Sequence, residues 1–233
     1  MNSQKHIKQL VIGVIGGTPF DTQLGVNQIL KLGLHTVFGY PISQTPNSQT
    51  LLQANQKSLE LHITKAIDEL LLKNVSCILI YCNSISSAID INKIKSRYKD
   101  IIIITTNDIY EKIKISNNNV GLITANTQCA GNIEKIILKN NVRCQVIGIG
   151  MLPIVKAIES GKEGKSIIET YDLIRLCKFF SNNSCSEIIL GCTHFECFSD
   201  ELDKCIKQSN INTTLFTIHS QLINLFTDVI NSN

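Results

Sequence analysis

The chain has 233 residues, 43% of them hydrophobic, and a formal net charge of only +3, so it can bury a sizeable core and is not a disordered polymer. Its lysines are spread along the sequence rather than gathered, which excludes the clustered basic face that nucleic-acid binding needs. Nine cysteines without a recognisable export signal point to reduced thiols rather than a disulfide framework.

In chain order, the polar stretch Met1 to Gln9 leads into a first predicted strand, Leu10 to Ile15. That apolar run is too short for a signal-peptide core or a membrane span, so the expected location is the cytoplasm, with no membrane partner. The glycine turn Gly16-Gly17-Thr18 closes it. A second strand is predicted over His35 to Gly39, followed by a polar loop from Tyr40 to Thr50. Leu52, Leu59, Ile63, Ala66, Ile67 and Leu70 then recur at helical spacing, which predicts one helix over Leu51 to Lys73. Further strands are predicted at Cys77 to Cys82 and Ile101 to Thr105. A crossing into a second half is expected over Thr106 to Ser116, supported by the polar cluster Ser116-Asn117-Asn118-Asn119. The second half repeats the pattern, with strands at Val120 to Thr124, Cys144 to Ile149, Glu187 to Gly191 and Thr214 to Phe216. Helices are predicted over Ile133 to Lys139, Ser166 to Phe180 and Gln221 to Ile230. Short apolar runs alternating with amphipathic stretches mark βαβ units around buried parallel sheets, an α/β fold. Leu222, Leu225 and Phe226 suit an interface or a core equally well, which leaves a homodimer open.

Two polar turns follow strong apolar strands and precede helical segments: Cys82-Asn83-Ser84 and Gly191-Cys192-Thr193-His194. In α/β sheets such turns, at the carboxyl ends of the strands, are where ligands bind. A cysteine there sits near a helix N-terminus, whose partial positive charge is expected to lower the thiol pKa. The two cysteines are 110 residues apart, about half the chain. Two similar halves facing each other would bring the thiols together across a cleft, one to remove a proton from a substrate carbon and one to return it from the opposite side. Cysteine suits that exchange because its reference pKa, about 8.5, is readily tuned.

The other cysteines, Cys77, Cys129, Cys144, Cys177, Cys185, Cys197 and Cys205, read as small apolar fillers. His194 either orients the Cys192 thiol or bonds a backbone carbonyl; its adjacency favours the first. His6, His35, His62 and His219 have no partner at ligand spacing and read as surface or packing residues. Cys192 and Cys197 lack a second pair, so no zinc site is expected. Thr18 and Ser84 are also natural helix caps, and Asp21 is an ordinary first-turn acid favoured by the helix dipole.

These motifs resemble the aspartate/glutamate racemase family. Ile12-Gly13-Val14-Ile15-Gly16-Gly17-Thr18 resembles the glycine turn of the aspartate racemase branch, Tyr81-Cys82-Asn83-Ser84 the family's Cys-Asn-Thr, and Leu190-Gly191-Cys192-Thr193-His194-Phe195 the Gly-Cys-Thr-His-Phe of glutamate racemases; Val120-Gly121-Leu122-Ile123-Thr124 also fits. The resemblance implies two pseudo-symmetric parallel-sheet α/β domains, residues 1–107 and 108–212, with 213–233 returning to the first and the active site in the cleft between them. It also implies racemisation of an amino acid, a small-molecule substrate, without pyridoxal phosphate or metal, with Cys82 and Cys192 as bases assisted by His194. The substrate would be held by Gly17, Thr18, Gln49, Asn83, Ser84, Thr124 and Thr193.

The chain also departs from the family. Glutamate racemases carry an Asp-Ser pair where this chain has Gly16-Gly17, so the acidic partner of the first thiol is expected to be missing. The Tyr40 to Thr50 loop has no arginine of the kind that grips a distal carboxylate in aspartate racemases; Ser43, Gln44, Asn47 and Gln49 there suit a neutral polar substrate. Alternatives on the same scaffold are a related isomerase, decarboxylase or hydantoin racemase. Outside it stand a thiol redox sensor and a non-catalytic small-molecule binding module.

Overall fold

A computed structural model describes residues 10–34, 36–115 and 119–231. The polar stretch Met1 to Gln9 with His6, the strand start at His35, and Ser116 to Asn118 of the polar cluster lie outside the described residues.

Among the described residues, eight strands form two four-stranded parallel sheets. The first contains β1 (Val11–Gly16), β2 (Thr36–Pro41), β3 (Cys77–Ile80) and β4 (Ile102–Thr105), in the order β2-β1-β3-β4. The second contains β5 (Asn119–Thr124), β6 (Gln145–Gly150), β7 (Glu187–Gly191) and β8 (Thr214–Thr217), in the order β6-β5-β7-β8. The two halves therefore repeat one topology, as the sequence pattern predicts. In each, the chain leaves the first strand toward one side and returns on the other. That reversal opens a crevice beyond the carboxyl ends of β1 and β3 in one sheet, and of β5 and β7 in the other.

Alternation along the strands builds a core common to both halves. Ile12 and Val14 of β1 face the same apolar cluster as Val120 and Leu122 of β5, whereas Ile15 and Ile123 face outer clusters. The outer layer of the first sheet is α3 (Gln56–Leu71), whose Leu59, Ile63, Ala66, Ile67 and Leu70 are buried at the predicted spacing.

Three predicted segments differ in the structure. The helix expected over Leu51 to Lys73 is two helices, α2 (Pro46–Gln53) and α3, because the Asn55 side chain accepts the Ser58 N–H and starts a new helix. An asparagine that caps so well competes with helix continuation. Ser166 to Phe180 likewise divides into α9 (Gly164–Thr170) and α10 (Leu173–Asn182), broken at Asp172 with φ of 49°. The segment 213–233, expected to rejoin the first half, divides: its strand β8 lies beside β7 in the second sheet, while the helix after it packs on the first-half helix Asn107–Tyr110 and places His219 against Tyr81. Its helix α12 (Ile218–Asn231) buries Leu222 and Phe226 in the shared core, so these two side chains offer nothing to an interface. No described helix is long and apolar enough to cross a membrane.

Gly150 closes β6 where the chain passes the start of α7 (Thr127–Asn140); a Cβ there would lie 2.2 Å from the Thr127 backbone nitrogen. Gly131, inside α7, has nothing within 4 Å of such an atom. Gly150→Ala is therefore expected to destabilise the fold by about 2–3 kcal/mol, and Gly131→Ala to stabilise it by about 0.5–1 kcal/mol. Urea unfolding of the two variants beside the wild type measures both.

Candidate active site

Cys82 lies two residues past β3, after Tyr81, and Cys192 directly follows β7, so the two thiols occupy corresponding turns beyond the carboxyl ends of topologically equivalent strands. Both line one cleft, together with Gln49, Asn83, Ser84, Thr193 and His194. As folded, the cleft holds about 10 Å³, room for about one water molecule. An amino acid requires its walls to part. A larger groove of about 930 Å³ lies elsewhere, on the outer face of α3, but it contains no thiol and its Lys93–Glu60 pair is solvent-exposed. Among the described residues no three His, Cys, Asp or Glu side chains converge as metal ligands.

The two sulfurs have different neighbours. The Cys82 thiol is only 4% exposed, and burial followed by the nearby Asp21 charge pushes its pKa well above the ordinary value. The helix-terminus effect expected from the sequence is thereby reversed. The helix after Cys82, α4 (Asn83–Ala88), is one short turn and a half, and the Ile85 N–H it offers the sulfur does not offset burial. The Gln49 amide also donates to the Cys82 sulfur, at 3.1 Å. Cys192 instead has His194 Nδ1 3.7 Å from its sulfur, within the single 3-10 turn Thr193–Phe195.

The acid expected to be missing beside Cys82 is present from another position. Asp21 stands in the first turn of α1 (Pro19–Lys31) and is completely buried. One carboxylate oxygen accepts the Gly17 N–H at 3.1 Å and the other accepts the Thr193 hydroxyl at 2.6 Å, with His194 Nδ1 at 3.8 Å. Burial raises its pKa, and the charge of His194 followed by the bonds from Thr193 and Gly17 works against that rise. In sequence Asp21 looks like a helix-start acid, and locally it is one. Its wider role needs Thr193 from the other half.

Glu159, at the end of α8 (Leu152–Glu159), carried no signal in the sequence. It accepts from His194 Nε2 at 2.9 Å and from the Thr18 hydroxyl at 2.6 Å. Burial opposes its charge, yet these two bonds hold its pKa below the ordinary carboxylate value. Burial opposes the His194 charge as well, but Asp21, Cys192 and Glu159 outweigh it and raise the imidazole pKa well above 6.5. Phe20 stacks on the His194 ring, with centroids 5.5 Å apart, and fixes its plane.

The remaining sequence-derived site residues divide into those that reach the cleft and those whose groups are engaged elsewhere. Asn83 reaches it: Oδ1 accepts the Tyr110 hydroxyl at 2.8 Å, while Nδ2 is buried without a hydrogen-bond partner among the described residues. Ser84 lines the same wall, and Cys129 is buried in the shared core as the sequence suggests, with the Ser87 hydroxyl 3.7 Å from its sulfur. Thr193 lines the cleft, but its hydroxyl is committed to Asp21. Thr18 caps α1 and bonds Glu159. Gly17 N–H is held by Asp21, and Gly17 O accepts the Ser43 hydroxyl at 2.7 Å. Thr124 is corrected: its hydroxyl donates to the Asn126 carbonyl at 2.8 Å, and the neighbouring Ala125 lines the cleft instead. Gln44 and Asn47 are exposed and outside the lining. His219 is a packing residue with a partner, its Nδ1 lying 2.6 Å from the Tyr81 hydroxyl.

No protein-family model matches the chain. Among curated proteins it is 28% identical over 144 residues to a glutamate racemase of Clostridium botulinum, a match covering 60% of this chain and 55% of that protein. It is 30% identical over 137 residues to a glutamate racemase of Oceanobacillus iheyensis, covering 55% and 48%. The chain thus spans about half the length of the curated relatives it matches. Among solved structures it resembles glutamate racemase from Francisella tularensis in complex with D-glutamate, with a TM-score of 0.67 at 17% identity over 97% of this chain and 82% of that one. An aspartate racemase homologue from Pyrococcus horikoshii matches with a TM-score of 0.62 at 15% identity over 95% and 99%. The chain has the two-domain fold of these enzymes, and the matches together support the aspartate/glutamate racemase family.

Because the folded-state pKa of His194 lies above its unfolded value, its charge stabilises the fold fully below about pH 6.5. That contribution is lost as pH climbs through the raised value. The stability advantage of the wild type over His194→Gln is expected to shrink across that range, as measured by urea unfolding at a series of pH values. An advantage that grows with pH would contradict the assignment of a buried imidazolium.

Proposed function

We propose that this protein is an amino-acid racemase that inverts Cα without pyridoxal phosphate or metal, using Cys82 and Cys192 as the two proton-transfer groups. The observation that carries the reading is topological: two thiols just beyond equivalent strands of two equivalent sheets line the same cleft. A single base can exchange a proton on one face of a carbon. Inversion needs a second group on the other face, and a pseudo-twofold repeat of the fold supplies one.

The chain's residues divide the work. Burial and Asp21 favour the protonated form of Cys82, which suits it to deliver a proton, while His194 stands within reach of the Cys192 sulfur as that group receives one. Asn83 Nδ2, a buried donor without a partner, is suited to a substrate carboxylate, because leaving such a group unsatisfied costs about 1–3 kcal/mol. The substrate of the relatives is glutamate by name. The lining here contains no lysine or arginine, so amide and hydroxyl groups would have to meet any side-chain carboxylate. All nine cysteines are free thiols, in keeping with a reducing, cytoplasmic setting.

The test is a panel of L- and D-amino acids, glutamate and aspartate with neutral polar ones, incubated in deuterated water without pyridoxal phosphate. α-Proton exchange accompanied by loss of optical activity is the expected outcome for at least one pair. Cys82→Ala and Cys192→Ala should each lower racemisation by about 10²–10⁴-fold, and each should retain exchange preferentially with the enantiomer whose α-proton faces the remaining thiol. Full racemisation by both variants would sink the two-thiol reading, and an absence of exchange across the panel would sink the racemase.

A further inference from the structure

A two-thiol cycle leaves Cys82 with a difficulty. When it gives its proton to Cα, the S–H bond breaks, the C–H bond forms, and the S–H electron pair stays on a sulfur that is buried and faces the Asp21 carboxylate. An anion in such a place needs donors. Gln49 supplies one. It lies on α2, whose start is pinned by the Thr45–Ser48 capping box, and it is itself buried with its amide nitrogen 3.1 Å from the sulfur.

The amide is there because of what is absent at Gly17. A Cβ on Gly17 would lie 2.5 Å from Gln49 Nε2 and 2.6 Å from Cδ. The clash is with the far end of a flexible side chain and Gly17 has no positive φ, so an added methyl would turn the amide away rather than break the backbone.

We propose that Gln49 is a catalytic group of this site, its amide N–H holding the sulfur anion formed at Cys82, and that glycine at position 17 is what lets it reach. This deepens the two-thiol reading, on which it rests, and replaces the substrate-binding role that the sequence suggested for Gln49. It also links the two departures in this chain: the Gly16-Gly17 turn that removes an acid from one position opens the space that a neutral donor fills.

The experiment is the pH dependence of Cys82 alkylation by iodoacetamide on the intact folded protein, with each site read by peptide mass spectrometry. Alkylation follows the thiolate fraction, whereas a change in access scales the rate at every pH without moving the midpoint. In Gln49→Met and in Gln49→Glu, labelling of Cys82 on the rising limb is expected to fall about tenfold, the worth of a hydrogen bond to a charged group. Cys192 should keep its own profile as the internal control. Gly17→Ala should move the Cys82 profile in the same direction, and the Gly17→Ala/Gln49→Met double variant no further than Gln49→Met alone. A Cys82 profile unmoved in folded Gln49→Met, or independent shifts from the two positions, would overturn the proposal; should Gln49→Met fail to fold, Gln49→Glu and Gly17→Ala decide it by the same criterion. Labelling needs no turnover. A protein that racemises nothing would overturn the function proposed above while the Cys82 profile is still measured, and an active racemase with an unmoved profile would overturn Gln49 alone.

Discussion

A carboxylate with no access to water must find its donors within the protein, and Asp21 finds them on both sides of the cleft. Gly17 N–H belongs to the first half, while the Thr193 hydroxyl and the His194 ring belong to the second. A second bridge runs beside it, from Thr18 and His194 to Glu159. These contacts fasten the glycine turn after β1 to the turn after β7. The wall positions of the cleft, and with them the spacing of the two thiols, depend on that fastening.

The same carboxylate makes the thiols unequal. Two cysteines placed by a repeated topology would be interchangeable if only the backbone mattered. Asp21 lies beside Cys82 and suppresses its ionisation, while His194, made cationic by two carboxylates, lies beside Cys192. In the two-thiol reading proposed above, the buried Asp21 carboxylate favours the protonated form of Cys82. In the proposed cycle Gln49 answers the opposite need, a donor for the Cys82 sulfur when its proton has gone.

The cleft is also narrow. With room for about one water, it keeps solvent from the two thiols and from His194, which strengthens every charge interaction in it. The two bridges from α1 and its turn to the second half run across the region that must widen before any ligand larger than a water can enter. Opening therefore competes with buried, charge-assisted hydrogen bonds rather than with loose surface contacts.

How much of this was legible in the chain depends on the range of the interaction. Strand positions, the α/β class, the repeat and the two polar turns are all legible, because apolar runs and polar turns are local patterns set by the period of the backbone. Cys82, Cys192 and His194 could be chosen from such patterns, since each is placed by its own strand. The breaks at Asn55 and Asp172 were hidden by an apolar periodicity that continues through them. Asp21 reads in the sequence as a helix-start acid, which it is, and an acid appears lost at Gly16-Gly17, because nothing in the order of residues says that Thr193 folds against position 21. Glu159 had no signature at all, and Gln49 was visible as a polar residue in a polar loop but not as a donor to sulfur. The sequence by itself determined the elements and the positions of the thiols. Only the tertiary structure decided their partners and their ionisation, because hydrogen bonding and desolvation depend on which side chains share a buried space, and that is fixed by residues more than a hundred positions apart.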